Sequence, residues 1–164
     1  MMDRLFEFPD TINETSARIV AAGVVAQAVV FLVFREGWLL LPLVYGFLAR
    51  VLTGPTLSPL GHFATRVVTP RLSIEHRFVP GPPKRFAQAI GLAFSGSGAV
   101  AWALGAHGVT YVLLGVLVVA ATLEAVWALC LGCIAYRLIW ECEDCADISD
   151  RLRTALASSA PATN

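Results

Sequence analysis

Charge is what this sequence has least of. Of 164 residues, 12 are Lys or Arg and 12 are Asp or Glu, and they cancel to a formal net charge of zero. Sparse, balanced charge leaves no basic footprint for nucleic acid, so nucleic acid is not expected as a partner. Histidine is scarce too: His62, His76 and His107 are scattered, and no two stand at helical spacing to grip a metal. There is no Gly-rich phosphate loop and no haem-attachment C-x-x-C-H, so no nucleotide or haem cofactor is expected. Heptads, low-complexity tracts and internal repeats are missing, which removes coiled-coil and solenoid architectures. The start of the chain also lacks the marks of a secretory signal. Asp3, Glu7, Asp10 and Glu14 precede the first apolar run and no small-residue cleavage site follows a basic start, so that run is expected to stay in the mature protein.

What is abundant is apolar side chain. Hydrophobic residues make up 57% of the chain and the mean hydropathy is +0.69, well above the balance of a soluble domain. The composition predicts an all-α integral membrane protein rather than a soluble enzyme. Four runs approach the roughly 20 residues needed to span a bilayer: about 17–34, 38–53, 86–104 and 109–140. The first two and the last two are joined by very short links, so each pair is expected to form a helical hairpin. The second run is short and carries Pro42, which is tolerable where neighbouring helices cover the freed carbonyl. The fourth is longer than a bilayer requires. Residues 1–16 then form an N-terminal segment, 54–85 a middle loop, and 141–164 a tail expected to be partly disordered.

Lys and Arg placement gives an orientation. Arg50, Arg66, Arg71, Arg77, Lys84 and Arg85 surround the middle loop, Arg4 and Arg18 flank the start, and Arg137, Arg151 and Arg153 follow the last run, whereas the short links hold only Arg35. Both termini and the middle loop are therefore expected in the cytoplasm. In that loop Leu60, Phe63 and Val67 recur at helical spacing, which predicts a short helix lying on the membrane surface. The following "TPRLSIEHRFVPGPP" reads as extended or turning chain.

All four cysteines fall near the cytoplasmic end of the fourth run, as Cys130/Cys133 and Cys142/Cys145. The cytosol keeps thiols reduced, which argues against a permanent disulfide. On one unbroken helix Cys130 and Cys133 share a face with Cβ atoms about 5–6 Å apart, too far for a disulfide, which wants about 3.8 Å. Gly132 between them could permit a local break. Near a helix C-terminus the dipole opposes thiolate formation, while Arg137, four residues past Cys133, would favour it. Three readings stay open: redox or sulfur-carrying thiols, packing residues, and a zinc site built from Cys130, Cys133, Cys142 and Cys145. The zinc reading needs the chain to turn back within "IAYRLIWE", which has no Gly or Pro; no cofactor is expected by default. Acidic neighbours should raise the Cys142 and Cys145 pKa values.

Glu124, inside the fourth run, is an intramembrane acid and so a functional-site candidate. Gln27, Tyr45 and Ser95 or Ser97 fall at similar depth. A polar layer is expected, with protonated Glu124 hydrogen-bonded to one of them. Ala87, Gly91, Ser95 and Gly98 form a small-residue stripe suited to close helix packing.

Four stretches, "INETSARIVAAGV", "GPTLSPLGHFA", "GPPKRFAQAIGLAFS" and "LEAVWALCLGC", together resemble the bacterial membrane family termed domain of unknown function 4395, over about residues 11–140. The resemblance implies a four-helix protein of the bacterial inner membrane, with Cys130, Gly132, Cys133, Glu124, Pro83, Lys84 and Arg85 at family motif positions. It also implies association with thioredoxin-like or rhodanese-like proteins. The expected function is thiol-disulfide exchange or sulfane-sulfur transfer at Cys130 and Cys133, with Arg137 stabilising the thiolate and Lys84 and Arg85 receiving an anionic sulfur species. The alternatives are an accessory subunit of a larger membrane complex and a permeation path for a small sulfur compound.

Overall fold

The structure is a computed structural model that describes residues 11–71 and 78–139. It is all-helical apart from one short strand pair. Helix α1 spans Glu14–Phe34, and a 3-10 turn at Gly37–Leu39 leads into α2, Leu40–Thr53. A single helical turn, α3, Pro59–Phe63, continues as π-helix through Ala64–Val68 and a 3-10 turn at Thr69–Arg71. Then come α4, Gly81–Ala103, α5, His107–Trp127, and α6, Leu131–Ile139.

Three helices, α1, α4 and α5, are long and apolar enough to cross a membrane; the apolar segment Gly37–Thr53 is shorter. Pro42 lies in the first turn of α2, where no intrahelical partner is lost and no neighbour is needed to cover a carbonyl. Asn13 starts α1 by accepting the Thr15 N–H at 2.9 Å, an N-cap that sets the helix start three residues before the apolar run. Helix α4 begins at Gly81, not near Phe86, because Pro82 and Pro83 fit a first helical turn. Lys84 and Arg85 are therefore helical residues rather than loop residues.

An unexpected feature is a two-stranded antiparallel ladder. Strand β1, Thr11–Asn13, pairs with β2, Phe78–Pro80, with Ile12 opposite Val79. Three-residue strands leave no alternating pattern to read. The ladder ties the start of α1 to the start of α4.

The fourth apolar run is not one helix. Ala128 adopts a left-handed conformation, φ 57°, and ends α5. The carbonyls there are accounted for one by one. Ala128 N–H donates to Glu124 O at 3.0 Å, the bond of an αL cap with alanine where glycine is usual, and Leu129 N–H donates to Leu123 O at 3.2 Å. From α1, Arg18 donates Nε to Ala125 O and Nη2 to Val126 O, both at 2.9 Å. A neighbouring helix thus supplies the stop that the local sequence does not announce.

Helix α4 is the common neighbour of α2, α5 and α6, while α1 packs chiefly on α5. Between helices as apolar on their outer faces as these, close contact holds the bundle together. A Cβ on Gly91 would strike the Phe47 ring of α2, and one on Gly132 would lie 2.5 Å from Ala87 Cβ. The small-residue stripe of α4 is thus a packing seam. Thr110 of α5 adds a hydrogen bond to Gly98 O at 2.9 Å. The middle segment is docked on α1: Leu60 packs where Gly23 lacks a side chain, and the Ser16 and Thr69 hydroxyls are hydrogen-bonded at 2.8 Å. At the opposite end, Trp102 stands edge-on to Phe31 and stacks on His107, with ring centroids 5.1 and 4.1 Å apart.

Candidate functional site

The break at Ala128 decides the setting of the cysteines. Ile134 N–H donates to Cys130 O at 3.1 Å, the first intrahelical bond of α6, so Cys130 is the residue that opens this helix and Cys133 lies in its first turn. The expectation of a mid-helix pair near a C-terminus is overturned. The pair faces the positive end of a helix dipole, which favours a thiolate. Gly132 serves the close approach of α6 to α4, where Phe86 and Tyr136 rings also meet at 5.6 Å.

Both thiols are free and buried, and they hydrogen-bond to each other. That bond splits their acidities. Acceptance from Cys133, aided by the Lys84 charge, lowers the Cys130 pKa below the ordinary thiol value despite burial and the Glu124 carboxylate. Donation to Cys130, together with burial, pushes Cys133 far up. The two sulfurs thus differ in acidity, Cys130 being the more acidic.

The charged groups acting on the pair come from other helices. Lys84, in the first turn of α4, makes an ion pair with Glu124, in the last turn of α5, with Nζ and Oε1 2.5 Å apart and side chains 9% and 14% exposed. The expected hydrogen bond from Glu124 to Gln27 or Ser95 is not formed. Gln27 is half-buried on α1, and Ser95, fully buried, bonds to Leu92 O of its own helix. Tyr45 reaches Leu57 O instead. The cause is the early end of α5, which puts Glu124 level with the start of α4 rather than at mid-depth. Arg85 is exposed and donates to Val51 O at 3.0 Å, covering a carbonyl at the end of α2. Arg137 sits one turn beyond Cys133 on α6, half-buried.

A cavity of about 300 Å³ reaches from the start of α6 to the α4–α5 seam. Its polar lining is Cys130, Glu124 and Gln88; the rest is apolar, including Phe47, Phe94 and Leu117. Beside it lies Arg50 of α2, 5% exposed. Its Nε donates to Gln88 Oε1 at 2.8 Å, its Nη1 to Ser58 Oγ at 3.2 Å, and its guanidinium lies over the Phe47 ring at 4.6 Å. In the sequence Arg50 reads only as a topology marker, and Gln88 and Ser58 do not stand out. A signal for Gln88 was available, since Lys84, Gln88, Gly91 and Ser95 recur at helical spacing.

Among the described residues no cluster of three or more His, Cys, Asp or Glu side chains is gathered to hold a metal. Cys142 and Cys145, the other half of the zinc alternative, lie outside the described residues.

The family model described as a domain of unknown function, DUF4395, matches residues 12–141, well over half of the chain. The chain belongs to the DUF4395 family. That span takes in the helices and every group of the site, from Arg50 and Lys84 to Cys133. Searches of curated proteins and of solved structures found no match.

Proposed function

We propose that this DUF4395 protein is a thiol-disulfide exchange protein of the bacterial inner membrane, with Cys130 as attacking thiolate and Cys133 as resolving thiol. The observation that carries the reading is the reduced pair at the opening of α6, already in thiol–thiol contact, with Lys84 beside it. The Cys130 thiolate attacks a partner disulfide and forms a mixed disulfide, and one partner sulfur leaves as thiolate. Cys133, losing its proton to that leaving thiolate, attacks Cys130 and releases the partner's second sulfur. Two electrons pass from the pair to the partner, which ends as one thiol and one thiolate that takes its proton from water, and Cys130–Cys133 becomes a disulfide. A soluble thioredoxin-like protein fits this role, and a rhodanese-like donor would fit if the cargo were sulfane sulfur.

The reading includes a topology: four crossings as two hairpins, with α2 and its preceding turn as the short second crossing. Both termini, the middle segment and the thiols then face the cytoplasm. The Lys and Arg distribution supports this orientation. An aromatic belt fits it too, with Trp38 and Trp102 at one end of the bundle and Trp127 at the other.

The deciding experiment equilibrates the purified protein with glutathione redox buffers and reads its thiols by trapping and intact mass, with metal analysis on the same sample. A two-electron transition at Cys130 and Cys133, and a trapped mixed disulfide in Cys133→Ser, are the expected results. Thiols that stay reduced across the whole range, with no mixed disulfide, overturn the redox reading and leave an accessory role in a membrane complex. Stoichiometric zinc would overturn it in favour of a structural metal site.

A further inference from the structure

A second cavity, of about 50 Å³, lies between the start of α1, the end of α2, α3 and the first turns of α4. Arg50, Lys84 and Gln88 line it, with Ser16, Thr65 and Gly61. We propose that this cavity is a binding site for one small monovalent anion, of the size of chloride or hydrosulfide, held by Arg50.

The first support is an unanswered donor. Arg50 is 5% exposed, so neither lipid nor bulk water meets it. Its Nε and Nη1 are taken by Gln88 and Ser58, but Nη2 is buried and has no hydrogen-bond partner. A guanidinium cannot shed its proton in a protein, so the group stays charged. Leaving such a nitrogen unpaired in a low-dielectric interior is costly.

The second support is the charge balance. Arg50's two side-chain partners are both neutral. The Glu124 carboxylate is held in the ion pair with Lys84. With Cys130 as a thiol these three groups carry one surplus positive charge, and a Cys130 thiolate acts on Lys84 and not on Arg50, so the uncompensated charge is that of Arg50. Lys84 has three N–H donors, and the bond to Glu124 uses one of them. Arg50, which carries the unpaired nitrogen, and Lys84 both line this cavity.

The third support is size. A buried water needs about 10–15 Å³ of such space, so this cavity has room for an ion with a water or two. The single surplus charge matches a monovalent ion and leaves a divalent oxyanion uncompensated. The lining hydroxyls are already engaged, Ser16 with Thr69 and Thr65 with Gly61 O, so recognition falls to the nitrogens. The site stands whether or not the thiols exchange. Gln88 lines both cavities, so an anion held by Arg50 would sit next to the chamber that Cys130 lines.

The test uses the full chain in detergent, at fixed ionic strength, with sodium gluconate replaced stepwise by sodium chloride. A bound anion stabilises the folded state by mass action, so the thermal midpoint should rise with chloride in proportion to the logarithm of concentration once the site is half filled. Arg50→Gln should abolish the dependence, and Arg66→Gln, which removes an exposed charge from the middle segment, should leave it intact. Should Arg50→Gln not fold, bromide soaked into crystals of the unaltered protein should give an anomalous peak in this cavity. Hydrosulfide competing more strongly than chloride would assign a sulfur ligand; equal competition would assign a halide; both retain the site. Indifference of the unaltered protein to chloride, bromide absent from the cavity, or an undiminished chloride effect in Arg50→Gln would overturn the proposal, leaving water as the partner of Nη2.

Discussion

Replacing Cys133 by alanine isolates the contact on which the thiol chemistry depends. The substitution removes a hydrogen bond that Cys133 donates to the Cys130 sulfur, while Lys84, Glu124 and the α6 dipole stay in place. A hydrogen bond to a charged acceptor contributes about 1.5–3 kcal/mol, which is roughly a 10- to 100-fold change in the thiolate population at a pH below the thiol's pKa. Reaction rate changes less, because a more basic thiolate is also a better nucleophile, with a Brønsted slope of about 0.4–0.5. Roughly half of the logarithmic effect survives, so alkylation of Cys130 by iodoacetamide at neutral pH should slow about 3- to 10-fold. Site-resolved mass spectrometry after acid quenching measures it in a background with Cys142 and Cys145 replaced by serine. Cys133→Ser keeps a donor and should retain most of the rate, which separates hydrogen bonding from cavity effects. The sign with pH is fixed as well. In the unaltered protein, the Cys130 rate should level off at a lower pH than an ordinary thiol of pKa 9.0, and Cys133→Ala should move the plateau upward. An unchanged rate and plateau in Cys133→Ala would refute the division of labour between the two sulfurs.

Other consequences concern the frame around the thiols. Lys84→Met leaves the Glu124 carboxylate buried without its partner and should destabilise the protein by about 3–5 kcal/mol, whereas the double change Lys84→Met, Glu124→Leu should recover most of that in denaturant unfolding. Ala128→Gly should raise stability by roughly 1 kcal/mol, since glycine adopts the left-handed conformation without the Cβ penalty; Ala128→Val should lower it, read by thermal unfolding. Gly132→Leu drives a side chain into the Ala87 backbone of α4 and should release α6, seen as faster tryptic cleavage at Arg137. In intact cells, a cysteine placed at His107 should react with an impermeant maleimide from outside, while Cys142 should not.

The sequence carried the broad plan of this protein through the lengths of its apolar runs. Those lengths were enough to place α1, α4 and α5, because spanning a bilayer imposes a length that composition reveals. The interruption at Ala128 was illegible for a physical reason: its cause is Arg18, more than a hundred residues away, taking the carbonyls that would have carried the helix on. Neither Gly nor Pro marks the spot, and alanine is an ordinary helix former. The error propagated. An unbroken helix placed Cys130 at the wrong end of a dipole, put Glu124 at mid-depth, and paired it with Gln27 or Ser95. Lys84 reads as a loop residue in the sequence, because the two prolines before it look like a break rather than a helix start. The strand pair was hidden by brevity, with two runs of three residues far apart in the chain.

The placement of the Lys84–Glu124 pair is itself an argument that it serves the site. Lysine in the first turn of α4 and glutamate in the last turn of α5 each stand at the end of their own helix where the dipole disfavours that charge. Residues retained for helix stability would be reversed, and elsewhere the chain follows the favourable rule, with Arg18 on the carbonyls ending α5 and Arg85 on one ending α2. A buried ion pair is in any case weak evidence for stability, since hydrophobic residues of similar volume often do as well. What the unfavourable arrangement achieves is position: an ammonium close enough to the opening of α6 to act on Cys130, held by a carboxylate that also faces the cavity. If the pair served stability alone, the double change Lys84→Met, Glu124→Leu would leave Cys130 alkylation untouched. If it acts on the thiol, that same well-folded variant should react at a changed rate at neutral pH, because it removes both a carboxylate that raises the Cys130 pKa and an ammonium that lowers it. A folded double variant with unchanged Cys130 reactivity would reduce the pair to a structural contact.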